Sequence, residues 1–302
     1  MSDDEGMTTD TAPRLGIAFP PHLPPEALRP LARAAEASGL DDLWVWEDCF
    51  KESGLASATA ALAWTERIRV GVGLLPVPLR NVALVAMEIA TVDRMFPGRF
   101  AAGIGHGVQS WMGQAGAQVD SPMTLLREYA DAVRALLSGA EVSCRGRYVE
   151  LDGVRLSWPP AAPPALLLGG AGPRSLSLTG ELGDGSLLGN ALDEAELAAA
   201  VERILAAAAS RQQPHQVVAT LIAATGPAAQ QRVDAEVVKW GATTGRGVGA
   251  AGAANALADY VLRMRAVGVT SVVIQATEDE PDLEGFVAFL GGQVRPLLHR
   301  SH

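Results

Sequence analysis

The chain has 302 residues, 48% hydrophobic and 19% charged, with a formal net charge of −10. That balance suits a globular protein with a large core. Without a long basic run it speaks against nucleic acid as a partner, although a phosphate ligand stays open because backbone amides bind anions without a basic patch. The two cysteines, Cys49 and Cys144, make no disulfide framework and read as reduced thiols of a cytoplasmic protein. No cluster of Cys and His suggests a metal.

The acidic start, Met-Ser-Asp-Asp-Glu, is unlike a signal peptide. Residues 1–13 read as a disordered lead and 14–300 as the folded domain. No apolar run approaches the roughly 20 residues of a membrane helix.

Arg14 to Phe19 reads as a buried first strand. Leu28, Leu31, Ala32 and Ala35 then form the apolar stripe of a helix that Gly39 ends. Asp42 to Trp46 is the second strand, Gly54 to Trp64 an Ala-rich helix and Arg69 to Leu75 the third strand. Asn81 caps a helix from about Val82, and Phe100 to Gly105 is the fourth strand. Pro122 opens the next helix, with Leu126, Tyr129, Val133 and Leu137 on one face. Glu141 to Cys144 and Tyr148 to Leu151 flank Arg145-Gly146-Arg147 as a small hairpin outside the repeat.

Ala165 to Leu168 is the fifth strand, with a helix from Arg174 to Leu182, and Ser186 to Gly189 is the sixth. Asp193 and Glu196 form a capping box for a helix to Ala209. Val217 to Ala224 is the seventh strand. Helical pieces flank a Gly-rich stretch from Gly241 to Gly252 that reads as a mobile loop. Leu257 to Val267 is helical, Ser271 to Gln275 is the eighth strand, and a last helix shows Leu283, Phe286, Val287, Leu290, Val294, Leu297 and Leu298. Strands alternating with helices predict a parallel sheet. Eight such units predict one α/β fold, a (β/α)₈ TIM barrel with a small insertion hairpin. A doubly wound sheet is the alternative.

The C-terminal ends of the strands form the mouth where such barrels hold their chemistry. Trp44-Val-Trp-Glu-Asp-Cys-Phe50 places Glu47 and Asp48 there. A carboxylate so placed binds a ring N–H or moves a proton, or simply caps a loop. Glycine inside Val72-Gly-Leu-Leu-Pro76 signals either a bulge or a close neighbouring backbone. Gly103-Ile-Gly-His-Gly107 lacks the spacing of a dinucleotide fingerprint. Its His106 is either a ligand contact or an exposed loop residue. Gly169-Gly-Ala-Gly-Pro-Arg-Ser175 stands where a helix begins, which favours an anion or marks an ordinary glycine turn. Gly183-Asp-Gly185 lies at the opposite face and reads as structural.

In this order the features resemble the luciferase-like monooxygenase superfamily, which includes bacterial luciferase, alkanesulfonate monooxygenase and the reductases and dehydrogenases that use the deazaflavin coenzyme F420. The resemblance runs from Arg14 to Leu298. It is most specific at the third and fourth strands and their helix, including Ala90-Thr-Val-Asp93 and Pro97-Gly-Arg99. Asp48, the Gly169–Pro173 run and Gly183-Asp-Gly185 add to it.

The resemblance implies a catalytic Asp48 at the deazaflavin ring. It implies a bulge at Gly73 and Leu74 joined by a non-prolyl cis peptide, with Pro76, His106 and Gly107 bordering the ring and ribityl chain. Ala171 and Gly172 are then expected to offer amides to the phosphate, and Gly189 and Asn190 to lie near the cofactor tail. Phe19, Trp46, Phe50 and Trp111 are the expected substrate walls, suiting a small apolar substrate, although apolar side chains near a mouth are also ordinary core. Many F420 enzymes carry His where this chain has Cys49. The sugar-phosphate dehydrogenases carry Glu where it has Val108, which speaks against a sugar-phosphate substrate.

The expected function is hydride transfer between F420 and a small organic molecule, the cofactor supplying the chemistry. The alternatives are an FMN-dependent monooxygenase using reduced flavin and O₂, whose barrel would shield a reactive intermediate from water, and a non-catalytic flavin-binding barrel. The family's frequent homodimers suggest a second copy as partner, through Ala56–Ala63 and Val82–Met95, although burial within one chain explains those small apolar faces as well.

Overall fold

The structure is a computed structural model and describes residues 12–189, 191–245 and 247–299. Eight parallel strands close a barrel: β1 (Arg14–Ala18), β2 (Asp42–Val45), β3 (Arg69–Pro76), β4 (Phe100–Gly105), β7 (Leu166–Gly169), β8 (Gly185–Leu188), β9 (Gln216–Ala224) and β11 (Ser271–Ala276). Pairing runs in chain order, and contacts of β9 with β8 and of β11 with β1 shut the ring. The hairpin β5 (Val142–Arg145) and β6 (Glu150–Val154) stands apart from the barrel. A two-residue strand, β10 (Ala250–Ala251), adds to the upper end of β9.

The helices α1 (Leu28–Ala37), α2 (Gly54–Trp64), α3 (Val82–Met95), α4 (Gln109–Gln114) and α5 (Pro122–Leu137) accompany the first half. The second half carries α6 (Pro173–Leu182), α7 (Glu194–Ala208), α8 (Ala229–Lys239), α9 (Ala254–Ala266) and α10 (Leu283–Phe289), which runs on through a π turn to α11 (Arg295–Leu298). The stripes read from the sequence are the buried ones: Leu28, Leu31, Ala32 and Ala35 on α1, and Leu126, Tyr129, Val133 and Leu137 on α5. Asn81 Oδ1 accepts the Ala83 amide at 2.9 Å, and Asp193 with Glu196 forms the expected box.

Strand alternation divides the core in two. One face of each strand packs against the helices. The other fills the barrel, where Ala18, Trp44, Ala101, Leu167, Val218 and Val273 form an inner layer. Trp44 is the bulky member, and its neighbour in register is Gly71. A Cβ on Gly71 would stand 2.5 Å from the Trp44 ring, and one on Gly73 would stand 2.7 Å from the Trp46 ring. Two glycines on β3 therefore make room for two tryptophans, one on β2 and one just beyond its end.

Ions close the lower end of the barrel. Asp42 is fully buried and accepts Arg14 Nη2 at 2.6 Å, Arg69 Nε at 2.7 Å and Ser271 Oγ at 3.0 Å. Asp184, in the turn read as structural, accepts the Leu166 amide at 3.0 Å and pairs with Arg134 at 3.0 Å.

Some expectations shift. Within the lead, Ala12 packs against the core and Pro13 is buried, while residues 1–11 lie outside the described residues. The second hairpin strand starts at Glu150 rather than Tyr148. The Glu128 carboxylate of α5 takes the amides of Arg147, Tyr148 and Val149 at 2.9, 2.8 and 3.1 Å, which removes Tyr148 and Val149 from the ladder. The Gly-rich loop is not free over its second half. Tyr260 Oη donates to Gly247 O at 2.8 Å, and β10 pairs with Ala223 and Ala224.

Candidate active site

A cavity of about 310 Å³ opens at the C-terminal ends of the strands. Trp44, Val218 and Val273 line its inner part. Around it stand Trp46, Glu47 and Asp48 after β2, Gly73, Leu74 and Pro76 on β3, and His106, Gly107, Val108 and Trp111 after β4. The circuit continues with Gly169, Gly170 and Ala171 after β7, Leu187, Leu188 and Gly189 at β8, Thr220 on β9, and Trp240 beyond α8.

The β3 wall is irregular. Val72 pairs with Ala102 but Leu75 pairs with Ile104, so three steps along β3 match two along β4, a bulge. The Gly73–Leu74 bond within it is cis, and so is Cys49–Phe50. The bulge aims the Leu74 side chain at Gly105 and Gly169. A Cβ on Gly105 would meet Leu74 Cδ2 at 2.6 Å, and one on Gly169 would meet the same atom more closely. The strand-end glycines read as ligand approaches thus first admit Leu74.

The two carboxylates after β2 differ. Glu47 is held in an ion pair with Arg80, whose Nη1 and Nη2 both reach it, and its Oε2 accepts the Gly54 amide at 2.7 Å. Asp48 carries no such partner among the described residues. Burial pushes its carboxyl above the usual range, against the opposing charge of Lys51. Cys49 is half-buried, and burial together with the charges of Glu47 and Asp48 pushes its thiol up. Glu52 is 9% exposed, and its Oε1 has no partner among the described residues. Burial, with the Asp48 charge adding, raises its carboxyl too. The indole nitrogens of Trp44 and Trp46 are also buried without a described partner.

His106 turns back on its own loop, with Nδ1 2.9 Å from Gly107 O, while Gln109 Nε2 donates to His106 O at 3.0 Å. At the head of α6 the Gly172 amide already donates to Ser175 Oγ at 3.0 Å.

Of the residues singled out in the sequence, the cavity gathers Asp48, Gly73, Leu74, Pro76, His106, Gly107, Ala171, Gly189, Trp46 and Trp111. Three stand elsewhere. Gly172 lies off the cavity, its N–H committed to Ser175. Phe19 is fully buried with Leu15 and Ile17 on the helix-facing side of the first strand, because it shares their parity. Phe50 is 66% exposed, carried outward by the turn in which Lys51 N donates to Asp48 O at 2.8 Å. Asn190 lies outside the described residues. Sequence reasoning missed Trp44, Thr220 and Trp240. Strand parity signals the first two, while nothing local signals Trp240.

The fold and this mouth define a (β/α)₈ barrel with a ligand-sized cavity at the C-terminal ends of its strands. The sequence profile of the luciferase-like monooxygenase family matches residues 6–273, and the chain belongs to that family. A 5,10-methylenetetrahydromethanopterin reductase of Methanolobus tindarius is 29% identical over 193 residues, 64% of this chain and 59% of the relative. An F420-dependent glucose-6-phosphate dehydrogenase of Nakamurella multipartita is 28% identical over 174 residues, 53% of this chain and 51% of the relative. The matched stretches thus span only about half to three fifths of these relatives. Among solved structures, an F420-dependent secondary alcohol dehydrogenase in complex with an F420-acetone adduct superposes with a TM-score of 0.82 at 18% identity, covering 96% of this chain and all of that one. A coenzyme F420 dependent tetrahydromethanopterin reductase from Methanopyrus kandleri gives 0.81 at 21%, covering 95% and 99%. At such identities these two establish the fold.

Proposed function

We propose that the chain is an oxidoreductase that transfers a hydride between coenzyme F420 and a small, largely apolar organic substrate, with Asp48 as its catalytic residue. The observation that carries this reading is Asp48: a carboxyl without a described partner, raised by burial, on the same cavity as the Gly73–Leu74 bulge.

The residues present fit a planar ring with a phosphate-bearing chain. The bulge offers backbone to a ring face. Pro76, His106 and Gly107 border it, and Ala171 with Gly189 lines the rim along which a phosphate and tail would leave. A Cβ on Gly189 would meet no atom within 4 Å, so this rim is open. A bound deazaflavin supplies or accepts the hydride. Asp48 holds or takes the accompanying proton at the substrate oxygen, a task for a carboxyl whose ordinary value has been raised by its surroundings. Glu47 is spent on Arg80 and keeps the loop after β2 in place. Trp46 and Trp111 form apolar walls that exclude water.

Titrating F420 and FMN into the purified protein at matched salt tests the reading. Tight F420 binding and bleaching of F420 absorbance with a small secondary alcohol are expected. Tight FMN binding without F420 binding would replace the reading with a flavin monooxygenase, and binding without turnover would replace it with a carrier. We also propose a homodimer through α3, whose outer face leaves Leu84 46%, Met87 55% and Met95 52% exposed. A monomeric sedimentation coefficient would refute it.

A further inference from the structure

Trp240 is a large apolar side chain, 42% exposed, that borders the cavity. An indole left half in water needs something to hold it, and here a chain of polar contacts does so. Its Nε1 donates to Glu236 Oε1 at 3.1 Å, one helical turn back. Glu236 is itself 6% exposed, and its other oxygen accepts the Glu278 amide at 3.1 Å. Glu278 belongs to the segment that follows β11. Lys239 Nζ closes the group, 2.6 Å from Glu278 and 3.7 Å from Glu236. A turn earlier on α8, Arg232 ties the helix to the same segment through Asp279 at 3.0 Å, Glu280 at 2.9 Å and Thr277 at 3.0 Å. After Trp240 the chain turns away at Gly241, which has a φ of +79°.

The helix that carries Trp240 is thus fastened to the neighbouring strand's loop, and the ring is fastened to the helix. Because its one donor is used by Glu236, Trp240 offers no hydrogen bond to a ligand in the cavity. Trp46 differs, since its buried N–H has no described partner. A fixed ring without a free donor discriminates by shape, and favours flat or compact apolar groups.

We infer that Trp240 is a specificity-determining wall of the substrate compartment, and that Glu236 is the positioning residue that fixes it. The inference rests on the proposed function for the word substrate, but the wall itself is testable without cofactor. Benzyl alcohol is the probe, and the ¹⁵N–¹H signals of the indoles are the readout, with Trp240 assigned by its loss in Trp240→Phe. Benzyl alcohol should shift the Trp240 signal in the cofactor-free protein. Trp240→Ala should weaken its binding by about tenfold or more, as loss of a pocket wall does. Glu236→Ala should broaden the Trp240 signal and weaken the probe, and Glu236→Gln, which keeps one acceptor oxygen for the two donors that Glu236 serves, should do both to a smaller extent. Should Trp240→Ala not fold, Glu236→Ala against Glu236→Gln decides the matter alone. Equal probe binding in wild type and Trp240→Ala, or equal behaviour of the two Glu236 variants, overturns the inference. A responding Trp240 with no F420 binding would sink the proposed cofactor and leave the wall standing. F420 binding with an unresponsive Trp240 would do the reverse.

Discussion

Strand β2 begins at one aspartate, Asp42, and leads at its other end to a second, Asp48, and the barrel uses them in opposite ways. Asp42 sits at the closed end. Burial alone would raise its carboxyl, but hydrogen bonds and charge from Arg14 and Arg69 outweigh that and hold it below the usual range. Asp48 sits at the open end, where burial acts with only Lys51 against it, and its carboxyl is raised. The same side chain is saturated with partners where the fold needs a plug and deprived of them where a ligand can enter. The buried ion-paired cluster stands at the bottom of this barrel and the cavity, where we propose the chemistry takes place, at the top, the division expected of the architecture.

The largest effect that sharpens this contrast comes from Asp42→Ala. It leaves Arg14 and Arg69 without their shared anion, and because their side chains are 44% and 18% exposed the loss should fall below the roughly 3–5 kcal/mol of a fully buried pair that is broken. Urea titration should show that loss, and a change below the range of a surface ion pair would mean that the lower plug does not carry stability. Because Asp42 is held low, its contribution is present above the ordinary carboxylate value and is lost as pH falls through the lowered one.

Asp48→Asn should do the opposite. Transition-state stabilisation should fall by about 1–3 kcal/mol, read from kcat/KM, with no fall in melting temperature. The sign follows from linkage. A carboxyl raised in the fold makes the protein less stable as pH climbs from the ordinary value through the raised one, so removing the charge does not destabilise at neutral pH. A lower melting temperature with normal turnover would make Asp48 a loop cap.

His215 offers a third and smaller test at the lower end. It shares a 2.9 Å hydrogen bond with Ser186 Oγ. Burial first, and then the charge of Arg211, lowers its imidazole from 6.5 to about 4. The unfolded chain therefore takes up a proton before the folded one does, and stability drains away as pH falls from 6.5 toward 4. His215→Asn should flatten that part of the stability–pH curve, and an unchanged slope would assign the acid sensitivity to carboxylates alone.

The smallest effect is expected at the rim. Gly189→Ala meets no atom within 4 Å, so stability should move by less than about 0.5 kcal/mol. Cofactor affinity should drop if the tail leaves there, and unaltered affinity would route it elsewhere.

Much of this is legible in the order of the amino acids. The six-residue run from Phe100 to Gly105 is the fourth strand as its apolar pattern predicts, Asn81 is a cap, and Asp193 with Glu196 is a box. These are local matters, set by which side chain can bond which nearby amide and by the period of the apolar residues. The mouth is legible in part for the same reason, since a parallel barrel brings the ends of its strands together wherever they lie in the chain. Phe19 departs from the expected substrate wall although its parity with Leu15 and Ile17 is visible in the sequence. Phe50 departs from it because a turn residue has no parity to read.

What the sequence by itself determined is therefore the alternation, the closure into one barrel and the end of it that holds Asp48, because periodicity and capping act over a few residues. Tertiary structure decided which carboxylate after β2 is consumed and which is left. Arg80 reaches Glu47 from beyond β3, and none of the described residues pairs with the Asp48 carboxyl in that way. It also decided that Trp240, far along the chain and held through the Glu278 amide, faces the same cavity as Trp46. Both depend on contacts between segments distant in sequence, whose distances and desolvation exist only once the chain has folded.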